Sequence, residues 1–395
     1  MLVTKSQLTA DPLFKAIAAC AADTRAHKID LLVGVYKDEF GQTPLMKAVR
    51  LAEERVAHDQ VTKNYLALVG REAFTSAILD LVVGVGALRR RALGLQSVGG
   101  TGALKLLFDL AKRINPESNI WLSNPGYSGH SAIAFGSGLS IKYYRYIENR
   151  RGGINEDEML AALGAAKRGD FVVVDASCHN PTGMDLSTDG WSALGKLCAQ
   201  MGLTPIVDVA YQGFGTGLES DVSVIATLSE FVDYMMVSVS CSKTFGIYRE
   251  RAGAAILIGP TQEKVANAMH SLVEIGFSAY AVPPDHGAAI VEKILNDDAL
   301  RSLWQAELAA MRERLTHLRA RLSFAISDAV NGSEIEYIKC GRGMFSLLPL
   351  SSSQMRDLRD NFAIHGLENG RINVTCVDAL QVETIGQAIR AVSRG

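Results

Sequence analysis

Apolar and polar positions along this chain follow two periods, and the switches between them outline its elements. The runs Phe171-Val172-Val173-Val174 and Ile206-Val207 are apolar on both faces, which suits strands of a mostly parallel sheet covered by helices on each side. Such strands are predicted over 119–122, 140–146, 171–176, 205–209, 234–239 and 253–258, with a short one running into Gly99. Between them the spacing turns helical. A helix from Ala103 puts Leu104, Leu107, Ala111 and Ile114 on one face, and others are expected over 157–167 and 188–201. Thr43-Pro44 opens a helix reaching Asp59, with proline in its first turn, and 70–81 reads as another.

The two ends of the chain read differently. An irregular arm over 1–15 precedes a helix over 14–27 and a strand over 29–35. Beyond Gly259 the pattern predicts helices over 262–275 and 285–324, the second bent at Asn296-Asp297-Asp298. Short strands then follow over 336–338, 344–347 and 371–375, mixed with helices. The expected fold class is α/β: a large domain over 43–309 with a helix-sandwiched, mostly parallel sheet, and a smaller α+β domain from 16–42 and 310–395. In such sheets ligands bind beyond the carboxyl ends of the strands, and Asn180, Asp208 and Lys243 all fall just past those ends.

Composition narrows the partners. Of the 395 residues, 48% are hydrophobic and 21% charged, enough apolar matter for a large core. The net charge of −2 argues against nucleic acid and anionic membrane, which demand a concentrated basic face. Small molecules are left as expected ligands. The six cysteines lack CxxC pairs and histidines at metal-ligand spacing, so reduced thiols and no metal site are expected. No signal peptide is read at the N-terminus, and the most apolar run, 78–88, is short and interrupted by Asp80 and two glycines. A soluble, cytoplasmic protein is expected.

The candidate chemistry centres on Val239-Ser240-Cys241-Ser242-Lys243-Thr244-Phe245-Gly246, where a buried strand ends in hydroxyls and a single lysine. An unpaired ammonium costs several kcal/mol, roughly, to bury. Either Lys243 turns outward or its amine is consumed, as when a lysine condenses with the aldehyde of pyridoxal phosphate to form a Schiff base. In the second case Ser240, Ser242 and Arg251 become donors for the phosphate. The turn Gly99-Gly100-Thr101-Gly102, between a strand and a helix start, points backbone N–H groups at an anion or simply makes a tight bend, and Thr101 is either a ligand or a cap. Asp208 ends a buried strand, where a carboxylate needs donors or a cation, and a protonated pyridine nitrogen is such a cation.

Together, in this order, these segments resemble the fold-type I pyridoxal-phosphate aminotransferases, specifically the aspartate and aromatic amino acid subfamily. The resemblance runs from Ala10-Asp11-Pro12 to Gly370-Arg371-Ile372-Asn373-Val374. It takes in Gly34-Val35-Tyr36-Lys37-Asp38, Lys63-Asn64-Tyr65, Gly99-Gly100-Thr101-Gly102, His179-Asn180-Pro181-Thr182-Gly183, Asp208-Val209-Ala210-Tyr211 and Gly341-Arg342-Gly343-Met344-Phe345-Ser346. It implies an aspartate aminotransferase-like fold and pyridoxal 5′-phosphate as cofactor, with Lys243 as Schiff-base lysine and proton shuttle. Asp208 is then expected on the ring nitrogen, and Tyr211 and Asn180 on the phenolic oxygen. Gly100, Thr101, Ser240 and Arg251 are expected around the phosphate, joined by Tyr65 of a second subunit in a homodimer. Tyr127 is expected to stack on the ring where the family usually has tryptophan, and Arg371 to grip the substrate α-carboxylate with Asn180 and the Gly34 backbone. The implied reaction moves an amino group from an L-amino acid to a 2-oxo acid. A lyase on the same scaffold is the alternative enzyme, and a cofactor-binding regulator the alternative to an enzyme.

The sequence departs from that pattern twice. Counting back from Pro283-Pro284, Phe277 stands where the subfamily has an arginine for a distal carboxylate. A dicarboxylic substrate would leave a charge unpaired, at roughly 3–5 kcal/mol, so an uncharged side chain, aromatic or aliphatic, is expected. The alternative is a dicarboxylate enzyme using another arginine such as Arg25. Asp175 stands where relatives usually carry histidine, one strand end from Asp208, and either tunes the ring nitrogen or bonds nearby backbone. His130 and His179 read as structural or ring-supporting.

Overall fold

The computed structural model describes residues 12–147, 153–327, 336–378 and 380–394. Strand β1 (Ile29–Asp30) belongs to a small peripheral pair. The central sheet is built from β2 (Ala92–Val98), β3 (Asn119–Asn124), β4 (Ser140–Arg145), β5 (Phe171–Asp175), β6 (Thr204–Val209), β7 (Met235–Ser240) and β8 (Ala252–Ile258). Its order is β2-β8-β7-β6-β5-β3-β4, parallel throughout except β8, which runs antiparallel to both neighbours. Alternation along β5 feeds two separate cores. Val172 and Val174 pack with Val207, Val237, Trp191 and Ile290 on one face, while Phe171 and Val173 pack with Ile206, Leu104, Leu107 and Leu272 on the other. That is the double burial expected of runs with no polar side.

A third core gathers Ile29 and Leu31 with Leu322, Ile338, Leu348, Ile364, Ile372 and Ile389. Here β9 (Phe345–Leu347) pairs antiparallel with β11 (Arg371–Asn373), and β10 (Ile364–His365) pairs parallel with β1. The helix Asp298–Ile326 serves both regions, with Leu308, Leu315 and Leu318 in a core of the large sheet and Leu322, Ala325 and Ile326 in the third. Within this helix Arg319 is 1% exposed. Its guanidinium donates to the carbonyls of Ile338, Arg342, Gly343 and Phe345, and no carboxylate among the described residues lies within ion-pair distance.

Several expected elements differ. Residues 336–338 are helical, within Glu336–Cys340. The bend expected near Asn296 is a full break between His286–Leu295 and Asp298–Ile326, where the Asp297 carboxylate accepts the Leu300 N–H at 2.9 Å and starts a new helix. The strand expected over 29–35 stops at Asp30, whose carboxylate accepts the Leu32 N–H at 2.9 Å and turns the chain. The helix expected from Thr43 begins at Lys47, because Glu307 reaches across to accept the Lys47 and Ala48 N–H groups at 2.7 and 3.0 Å. Residues 12–15 of the expected arm are helical, within Pro12–Ala22, and the rest of the arm lies outside the described residues. No helix among the described residues is long and apolar enough to cross a membrane.

Candidate active site

Three adjacent strand ends, those of β5, β6 and β7, open into one cavity of the large sheet. Ser240 ends β7 and caps the four-residue helix Cys241–Thr244, its Oγ accepting the Ser242 N–H at 3.3 Å. That turn aims Lys243 into the cavity, with its Nζ 5.0 Å from the centroid of the Tyr211 ring. Among the described residues no carboxylate lies within ion-pair distance of it. The crowding of protein atoms around the ammonium lowers its pKa, an effect that the charge of Asp208 opposes and that of Arg251 reinforces.

Asp208 is 5% exposed, at the end of β6. One carboxylate oxygen accepts the Ser238 hydroxyl at 2.5 Å and the other lies 3.0 Å from His130 Nε2. Burial alone would depress the His130 imidazole, but its hydrogen bond to Asp208 and the charges of Asp175 and Asp208 outweigh burial and raise its pKa. His130 comes from the helix Ser128–Gly136, and Tyr127, the residue before that helix, meets the His130 ring edge-on at 5.2 Å. On the other wall Asn180 Nδ2 lies 3.5 Å from the Tyr211 hydroxyl, and both residues are buried. Burial pushes the Tyr211 phenol well above its ordinary value.

The opposite end of the cavity is built for an anion. The helix starts at Gly99 rather than Ala103, so the glycines form its first turn, and Thr101 is not its cap, which falls at Val98. Gly99 has φ +65°, and a Cβ there would lie 2.6 Å from Arg251 Nη2, while one on Gly100 would lie 2.8 Å from Ser240 Cβ. Only glycine lets the helix start approach these donors so closely. Arg251 Nη1 donates to Ser242 Oγ at 3.2 Å and to the Tyr248 carbonyl at 3.1 Å. Gly100, Thr101, Ser240, Ser242 and Arg251 therefore share the cavity with Lys243, Asp208, Tyr127, Asn180 and Tyr211.

Two expected substrate residues stand beside this group, and Tyr65, expected at the phosphate of a second subunit, lies apart. Arg371, on β11, donates Nη2 to the Leu32 carbonyl at 3.0 Å, and its guanidinium carbon sits 4.7 Å from the Phe345 ring centroid. The same Phe345 ring meets Tyr211 edge-on at 6.1 Å, and a Cβ on Gly34 would touch it at 3.9 Å. Phe345 thus links Arg371 and Gly34 to the cavity wall. Tyr65 is 87% exposed and does not line this cavity. Arg25, the alternative distal arginine, is bound bidentately by Asp23, at 2.9 Å from Nε and 2.6 Å from Nη2, and donates to the Arg359 and Asp360 carbonyls. Ser238 is not among the residues expected from the sequence, where its only signal is a hydroxyl inside an otherwise apolar strand.

Pyridoxal phosphate fits these residues. A depressed amine, a guanidinium with hydroxyls at a helix start that tolerates no Cβ, and a buried carboxylate across from them match its aldehyde, its phosphate and its ring nitrogen.

Comparison with known proteins agrees. The chain is 37% identical over 392 residues to an aromatic-amino-acid aminotransferase of Pseudomonas aeruginosa, covering 98% of each. It is 34% identical over 386 residues to the aspartate aminotransferase of Escherichia coli, covering 97% of this chain and 98% of that one. Its structure superposes with a TM-score of 0.94 on the aromatic-amino-acid aminotransferase of Burkholderia pseudomallei covalently bound to pyridoxal phosphate, at 34% identity, covering 99% of this chain and 98% of that one. The model of the family described as aminotransferase class I and II matches residues 26–389, and the chain belongs to that family: it is a pyridoxal-phosphate-dependent transaminase of fold type I.

Proposed function

We propose that this transaminase takes its amino group from L-amino acids with uncharged, above all aromatic, side chains and delivers it to a 2-oxo acid, working as a cytoplasmic homodimer. The observation that carries the substrate preference is Phe277, on the helix Gln262–Tyr280 and 58% exposed on the single chain. Counted back from Pro283-Pro284, it stands where the subfamily has an arginine for a distal carboxylate, and Arg25 is committed to Asp23. The aromatic-amino-acid aminotransferases among its relatives support the same reading.

The bound cofactor supplies an electron sink for the bond broken at the substrate α-carbon. Asp208, fixed by Ser238 and His130, holds the proton on the ring nitrogen. Tyr211 and Asn180 hydrogen-bond the phenolic oxygen, and Tyr127 covers the ring. Lys243, whose pKa burial lowers, takes the α-proton and returns it. Arg371 fixes the α-carboxylate as a fork, beside the Gly34 backbone and Asn180. Arg251, Ser240, Thr101 and Gly100 hold the phosphate, and the exposed Tyr65 reaches the same group in a second subunit. Sedimentation equilibrium is expected to give twice the chain mass, and a mass of 42.5 kDa would refute the shared site.

The substrate preference is tested by single-turnover half-reactions. Phenylalanine is expected to react several hundredfold faster than aspartate, as follows from about 3–5 kcal/mol for an unpaired buried carboxylate. Phe277→Arg is expected to recover about a hundredfold of that ratio. Faster conversion of aspartate by the unaltered protein would overturn the assignment.

A further inference from the structure

Among the described residues lining the cavity, Asp175 is the one ionisable side chain that the proposed reaction leaves without work. It ends β5 in register with Asp208 on β6, and parallel in-register residues project to the same side of a sheet. Oxygen and nitrogen atoms of Asp175, Asp208 and His130 all lie within 4.8 Å of one another. Its own contacts are weak: it accepts the Asn180 N–H at 3.3 Å and stands 3.8 Å from His179 Nε2.

We propose that Asp175 is a positioning residue for Asp208, the two carboxylates and His130 holding one exchangeable proton that sets how much negative charge meets the cofactor ring nitrogen. This rests on the reading of the cavity as a pyridoxal-phosphate site. The neighbours leave Asp175 few cations. His179, held between Thr182 Oγ1 at 2.8 Å and Ser123 Oγ at 3.0 Å and stacked on Tyr146 at 3.7 Å, is driven by burial to a pKa of about 3 and stays neutral. Asp208 and Asp185 add negative charge, Tyr144, Tyr146 and Tyr211 are neutral phenols with raised pKa values, and Lys243 is depressed. Among the described residues His130 and the long bond from the Asn180 N–H oppose, and His130 is already bonded to Asp208. Burial first, with Asp208 against His130, raises Asp175 to about 7. Proton uptake by Asp175 below that pH lessens the negative charge beside the ring nitrogen, and proton loss above it restores that charge.

The sign of the stability effect follows. An aspartate ionises near pH 4 in the unfolded chain and near 7 in the folded one, so folding is progressively disfavoured between those values and no further above. Asp175→Asn, which never ionises, is expected to melt a few degrees above the unaltered protein at pH 8 and to lose that advantage towards pH 4.

The deciding experiment is an infrared titration of the holoenzyme, and of protein stripped of cofactor, from pH 5.5 to 8.5. The carbonyl stretch of a protonated carboxyl is expected in the unaltered protein, disappearing with a midpoint near 7. It should be missing at every pH in Asp175→Asn and in Asp175→Ser, the second variant guarding against misfolding of the first. The absorbance of the bound cofactor should shift over the same pH range only in the unaltered protein. Absence of that stretch in the unaltered protein, or its persistence in both variants, would overturn the proposal while leaving a yellow, cofactor-loaded protein untouched. Failure to take up the cofactor at all would instead overturn the reading of the cavity, and the stretch would still decide whether Asp175 holds a proton.

Discussion

Replacing Lys243 by alanine is expected to slow transamination by about 10⁴-fold, the upper end of what a positioned proton-transfer group contributes. No second amine is placed to take over: the described residues lining the cavity include one lysine, and its only other strong base is the Arg251 guanidinium, turned toward Ser242 and Tyr248. The variant should still take up pyridoxal phosphate, because the helix start at Gly99 and the donors opposite it are untouched. What it should lose is the borohydride-reducible bond between protein and cofactor. Single-turnover kinetics and mass spectrometry after reduction read the two effects separately. A variant within tenfold of the original rate, or one that still forms a reducible bond in this cavity, would show that another group carries the chemistry.

Arg371→Leu is expected to lower kcat/KM by about a thousandfold, corresponding to roughly 4 kcal/mol for leaving one member of a buried, hydrogen-bonded charge pair alone. The loss should fall mainly on KM, since the α-carboxylate is held throughout the reaction rather than only at its summit. Arg371→Lys should recover part of it and no more, because an ammonium cannot form the two parallel bonds of a guanidinium fork. Cofactor absorbance should be unchanged in both variants, as Arg371 stands behind Phe345 and outside the phosphate end of the cavity. Steady-state kinetics with a series of amino acids measures this, and an equal loss for an amine lacking the carboxylate would refute the role.

Much of this site can be read in one dimension because its parts sit at ends of strands whose burial the sequence announces. Asp208, Lys243 and the glycines at 99 and 100 are anomalies in apolar surroundings, and an anomaly there asks for a partner. What escaped the reading depends on distant chain segments. Glu307 caps a helix 260 residues before it, and no local rule places a helix start at Lys47 for that reason. Gly99 and Gly100 are poor helix formers by propensity, yet they begin a helix because Arg251 and Ser240 leave room for nothing larger. The bond between His130 and Asp208 joins elements 78 residues apart. The helix Glu336–Cys340 carries a short pattern that either period satisfies.

The burial of Arg319 has a consequence for how binding responds to acid. Its charge is solvated by peptide carbonyls instead of a carboxylate, and although burial lowers its pKa to about 10, it remains a cation throughout the neutral range. Carbonyl groups have no proton to gain or lose there. The loop that presents Phe345, and with it the setting of Arg371, is therefore fastened by a contact that does not titrate in the neutral range, so this fastening contributes nothing to an acid-dependent change in substrate grip.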